Sequence, residues 1–249
     1  MIVNYHPDHM VYGRCGRHLI GVRPEIGKLA DLVFDPEESS CVEAISRAMR
    51  ISKKGRKQAV TLLRAIIPQR PKRPLYYARY SLGNLPMESR YVVEQMGSYL
   101  GKLVKELSFE LEGEYLGKSS LGVDIRRLLE DKRNVGSDLR ELLMKIRFLN
   151  EVAYAPSKHR HGSPSNTRHY FLVSDVAVIV LAAVKLGEEL KRGSKYVRNL
   201  CQDLVLPGQK PIMGDHPRTD DYGKPFNFKE KLKGEVLILK EASQAAGLS

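Results

Sequence analysis

From residue 89 onward, large apolar side chains return every three or four positions: Val93, Met96, Leu100, Leu103, Leu107 and Leu111. That spacing follows the 3.6-residue turn of an α-helix rather than the two-residue alternation of a half-buried strand. It predicts a long amphipathic helix over about 89–112. The signal then repeats. Ser120 stands as an N-cap ahead of Leu121, Ile125, Leu128 and Leu129, and Ser137 ahead of Leu139, Leu142, Leu143, Ile146, Leu149 and Ala153. Ser174-Asp175 caps a fourth segment, about 175–191, whose apolar content makes it the most central. Its β-branched residues (Val176, Val178, Ile179, Val180) also suit a strand, but length and the cap favour a helix. The expected fold is mainly α, with a four-helix bundle core.

Around that core the pattern is less regular. Gly13, Gly16, Gly21 and Gly27 interrupt residues 1–34, which read as short strands or irregular structure. Asp35-Pro36 reads as an N-cap followed by proline at the first helical position, opening a helix to about Ile51. Ser52 caps the next helix, about 54–67, with Val60, Leu63 and Ile67 on its apolar stripe. Pro68, Pro71, Pro74 and Pro86 make residues 68–86 read as an extended connector at a domain boundary. After Pro207 the chain is rich in turn residues and reads as an irregular arm with one short ordered piece near 236–240. The expected division is a basic helical N-terminal region (1–86), a helical bundle (87–206) and an extended C-terminal arm (207–249).

Charge is distributed unevenly. The chain carries +12, and residues 44–87 contain eleven Lys and Arg but no Asp or Glu, leaving +1 for the other 205 residues. Such a concentration repels itself unless a partner neutralises it. Arg50, Lys53, Lys54, Arg56, Lys57, Arg64, Arg70, Lys72, Arg73 and Arg79 are the candidate phosphate contacts. Tyr76 and Tyr77, with Tyr80, supply rings that stack on bases. Nucleic acid is therefore the expected partner, with a solvated face that docks an acidic protein as the alternative. The two capped basic helices also fit a helix-turn-helix reader of duplex DNA.

A second basic cluster follows the third bundle helix. His159, His161 and His169 lie there with Lys158, Arg160 and Arg168, and no acid occurs between Glu151 and Asp175. Histidine shuttles protons near neutral pH and arginine holds phosphate in a two-pronged contact. The loop therefore reads as a phosphate site, or as the centre of metal-independent RNA cleavage.

The run Arg147-Phe-Leu-Asn150-Glu-Val-Ala-Tyr-Ala-Pro-Ser-Lys158-His159, followed by His169-Tyr-Phe and a capped apolar helix, resembles the HEPN superfamily. That superfamily comprises all-helical bundles of RNA-cleaving toxins, defence proteins and nucleotide-binding modules. The resemblance covers about residues 89–192. It implies a catalytic set of Arg147, Asn150 and His159, and a site completed across a homodimer. Active members separate Arg from His by four to six residues. Here eleven lie between Arg147 and His159 and eight between Arg160 and His169, so a binding-only bundle is an equal implication.

Other chemistry is sparse. His6, His9, Cys15 and His18 are spaced as two ligand pairs, but only five residues separate the pairs and one thiolate is available. Ordinary histidines are expected rather than zinc. Three scattered cysteines fit a reducing cytosol, and no phosphate loop or dinucleotide fingerprint implies a cofactor. The apolar run at 176–184 is too short to span a bilayer. The expectation is a cytoplasmic nucleic-acid-binding protein with RNA favoured over DNA. The alternatives are an endoribonuclease of the toxin or defence type and a subunit of a larger nucleoprotein assembly.

Overall fold

The computed structural model describes residues 22–68, 73–112, 119–130, 135–155, 171–202 and 226–245. These form α1 (Pro24–Val33), α2 (Pro36–Ile51), α3 (Lys53–Ile66), α4 (Arg73–Ser81), α5 (Ser89–Glu112), α6 (Leu121–Glu130), α7 (Ser137–Leu149), α8 (Val173–Gln202) and α9 (Phe228–Ala245). A 3₁₀ turn, Leu82–Asn84, follows α4, and a π-helical turn, Asn150–Tyr154, follows α7. No strand occurs among the described residues, so the fold is mainly α.

The centre is α8. Every residue from 174 to 184 is buried, as befits a helix that is apolar all round. It packs against α1, α2, α3, α5 and α7, while α6 lies against α5 and α7. Asp175 opens α8 as its third residue, accepting the Leu172 backbone N–H at 3.1 Å. It also accepts the Arg23 backbone N–H at 2.9 Å and Arg23 Nε at 3.0 Å, which ties α1 to the core. Burial pushes the Asp175 carboxyl above its ordinary range, against the opposing pull of Arg23.

The apolar stripes expected on α5, α6 and α7 face inward. Val93, Met96, Leu100, Leu103, Leu107, Ile125, Leu143 and Ile146 are all buried. The caps at the start of α2 and α3 form as their residues suggest. Glu37 and Glu38 donate backbone N–H bonds to Asp35 Oδ1 at 3.0 and 2.9 Å, and Asp35 N–H returns one to Glu38 Oε2 at 3.0 Å. At α3, Gly55 N–H donates to Ser52 Oγ at 2.9 Å.

Three segments differ from the sequence expectation. Residues 24–33 are a helix because Ile26, Leu29, Ala30 and Val33 share one buried face, and Pro24 at the first position has no N–H to waste. Within the expected connector, residues 73–81 are α4. Its Leu75, Ala78 and following Leu82 are buried, and the prolines around it mark its ends rather than an extended path. Within the expected arm, residues 228–245 form the 18-residue α9. Phe228, Leu232, Val236 and Leu239 recur at intervals of four, four and three and bury against α2 and α3. Each such side chain contributes roughly 1.5–3 kcal/mol when fully buried, which outweighs local turn propensity. One apolar cluster runs from Val22 to Leu239, shared by helices on both sides of residue 86.

Candidate nucleic-acid interface

Chain geometry gathers the first group of cations. α2 ends at Ile51, Ser52 caps α3, and α3 begins at once. A Cβ on Gly55 would lie 2.7 Å from the Ala48 carbonyl oxygen, so only glycine lets the first turn of α3 sit this close to α2. Arg56 reinforces the joint by donating Nε to the Met49 carbonyl at 3.4 Å. The result places Arg50, Lys53, Lys54 and Lys57 around one elbow, their Cα atoms within roughly 17 Å by chain reach.

All four are exposed, and none has an ion-pair partner among the described residues. Arg50 suits the last turn of α2, but the position of the lysines at the start of α3 is electrostatically unfavourable on its own. The N-terminus of a helix carries partial positive charge, so each lysine there costs about 0.3–1 kcal/mol at low ionic strength. Like pairs three or four residues apart, Lys54 with Lys57 and Lys53 with Lys57, cost a few tenths of a kcal/mol more. No acid occurs in the first turn of α3 to offset this. A bound anion would relieve both penalties.

Other cations of the basic run are engaged within the protein. Arg64 donates Nε to the Arg79 carbonyl at 3.0 Å and Nη2 to the Tyr80 carbonyl at 3.3 Å, clamping the end of α4 onto α3. The guanidinium lies so close to Gly83 that a Cβ there would sit 2.3 Å from Nη2. Arg47 pairs with Glu43 at 3.0 Å, one turn back and just outside the acid-free stretch. Arg73 donates Nε to Tyr77 Oη at 3.2 Å, with its guanidinium 5.9 Å from the ring centre. Arg79 is half-buried, Tyr76 is exposed, and Tyr76 and Tyr77 meet edge to face at 5.8 Å. The sequence could not distinguish the bare cations from the engaged ones, because carbonyl partners leave no charge signature.

The bundle residues named by resemblance are separated. Arg147 donates Nε to Glu151 at 2.8 Å on the surface of α7. Asn150 is buried at the start of the π-helical turn, beside Gly122 and a cavity of about 10 Å³ lined by Leu121, Ala153 and Tyr154. That volume holds about one water and no phosphate. What joins Arg147 and Asn150 is a helix-backbone bond, from the Asn150 N–H to the Arg147 carbonyl, rather than a contact between their side chains. The wide turn also presents Tyr154 to Gly97, where a Cβ would fall 1.9 Å from the ring. Glycine at 97 is therefore a packing requirement.

His159, Lys158, Arg160, Arg168, Arg70 and Lys72 lie outside the described residues, as do His6, His9, Cys15 and His18. Among the described residues no group of three His, Cys, Asp or Glu is placed to hold a metal ion. No helix among them is long and apolar enough to cross a membrane. No protein-family model, curated protein or solved structure matches the chain.

Proposed function

We propose that the protein binds nucleic acid, RNA in preference to DNA, by pairing backbone phosphates with Arg50, Lys53, Lys54 and Lys57 at the α2–α3 elbow. The observation that carries this reading is the bare charge at that elbow: three exposed lysines at the start of α3 and Arg50 at the end of α2, without a carboxylate partner among the described residues. A polyanion neutralises them and releases its condensed counterions, so affinity falls steeply as salt rises. Arg73 and Arg79 extend the cationic surface along α4. The HEPN-like resemblance of residues 89–192 belongs to the same reading, since that superfamily includes RNA-directed helical bundles.

The test is competition of unlabelled RNA, single-stranded DNA and duplex DNA against labelled RNA, repeated from low to moderate salt. RNA should compete best, and log affinity should fall linearly with log salt. Binding that ignores salt would end the electrostatic reading. A stoichiometric acidic protein partner without free nucleic-acid affinity would replace it with the docking alternative. Incubating RNA with wild type and His159→Ala in EDTA separates binding from cleavage. Equal, negligible cleavage leaves a binding protein, and cleavage lost in the variant makes it a ribonuclease.

A further inference from the structure

The solvent face of α4 is aromatic where a surface helix is ordinarily polar. Arg73, Tyr76, Tyr77 and Tyr80 fall three, one and three residues apart, which places them along one side. Pro74, Leu75, Ala78 and Ser81 fill the buried side. Tyr76 is 58% exposed and Tyr80 69% exposed, so large rings stand in water at neighbouring turns. They are four residues apart, a rise of about 6 Å along the axis. The platform is held at its far end by Arg64, whose guanidinium takes the carbonyls of Arg79 and Tyr80, and its inner face packs on α5.

We propose that this face of α4 is a base-stacking platform that selects single-stranded nucleic acid over duplex. The inference rests on the nucleic-acid reading above and adds the strand state of the ligand. Two requirements define the occupant. It must offer flat apolar surfaces to the tyrosine rings and negative charge to Arg73, Arg79 and the lysines of the elbow, in a segment that has no acid of its own between residues 44 and 87. An unpaired strand offers both, since every base has a π-face and every linkage a phosphate. A duplex offers its phosphates but keeps its bases stacked on one another, out of reach of a helix surface. The elbow therefore supplies strand-independent attraction, and α4 supplies the discrimination.

The chain contains no Trp, so tyrosine emission is its intrinsic fluorescence. Affinities of a short oligouridine strand and of an RNA duplex of matched charge are measured for three forms: wild type, Tyr76→Ala with Tyr80→Ala, and Tyr76→Phe with Tyr80→Phe. Both side chains are exposed, and circular dichroism checks that the variants fold. The alanine pair should weaken the single strand by roughly 30-fold or more, taking the lower bound of about 1 kcal/mol per stacked base. Duplex affinity should not change, the phenylalanine pair should keep wild-type affinity for both, and quenching of tyrosine emission should accompany strand binding. Equal loss on strand and duplex, or loss on neither while the elbow lysines still matter, overturns the platform and leaves the phosphate reading standing. Failure of wild type to bind either ligand removes both.

Discussion

The two ends of α2 are built from the same kinds of charge and arranged in opposite ways. At its N-terminus, Asp35, Glu37 and Glu38 meet Lys229, Lys233 and Lys185, with Lys229 at 2.9 Å from Asp35 and 2.8 Å from Glu37. The carboxylates face the positive end of the helix, cap its N–H groups and latch α8 and α9 onto it. At its C-terminus, fifteen residues on, Arg50 and the α3 lysines crowd together with no carboxylate partner among the described residues. One end is complete within the chain and does structural work. The other carries an electrostatic penalty that nothing among the described residues removes, and the proposed binding sits there.

Breaking the closed end should cost the fold and spare binding. Glu38→Ala removes a capping-box partner and leaves Lys185, mostly buried, with Glu189 at 3.7 Å and the Phe34 ring at 5.8 Å among the described residues. Loss of about 3 kcal/mol is expected in urea unfolding, because a largely buried charge is stranded. Salt-dependent RNA affinity of the folded variant should match wild type. Breaking the open end should do the reverse. Lys53→Glu, Lys54→Glu and Lys57→Glu together should weaken RNA by about a hundredfold at low salt, near 2.7 kcal/mol. The midpoint of thermal unfolding should hold or rise, since acids suit the first turn of α3. A triple variant that unfolds instead would mean that the lysines support the fold.

A smaller effect sharpens the contrast. Asp35→Ala should cost about 1 kcal/mol through loss of the cap. Asp35→Asn keeps the cap and removes the charge, so it isolates the ionic part. The Glu38 backbone N–H, followed by Lys229, holds the Asp35 carboxyl down at about 2. A carboxylate held below its unfolded value adds stability above the ordinary range near 4 and loses it as pH falls toward 2. The gap between wild type and Asp35→Asn should therefore be present at pH 6 and shrink between pH 4 and 2. The smallest change is expected from Arg47→Ala, whose exposed pairing with Glu43 is worth no more than about 0.5 kcal/mol. A large loss of RNA affinity there would show that paired cations also serve the ligand.

Much of this architecture was legible in the residues. The stripes of α5 to α7 and the caps at Asp35 and Ser52 depend on local spacing, and local spacing survives folding. The helices at 24–33, 73–81 and 228–245 were hidden by glycine, proline and turn-rich neighbours. Their apolar faces matter only because other helices stand ready to cover them. Leu232, between Lys231 and Lys233, looks isolated in the chain and becomes a core residue of the helix packed on α2 and α3. The basic site was legible as a run of charge but not as a surface. Arg64 and Arg56 read like Lys54 and Lys57, yet their guanidinium groups hold carbonyls of the protein itself. The outward turn of Tyr76 and Tyr80 also depended on knowing that residues 73–81 are helical.

Residues 174–184 leave α8 no side from which solvent can enter. Their amide protons should trade for deuterium only when the whole chain opens, and so report global stability directly. Amides of Lys53 and Lys54, exposed at the start of α3, should exchange through local fraying long before, and a bound polyanion should slow them first.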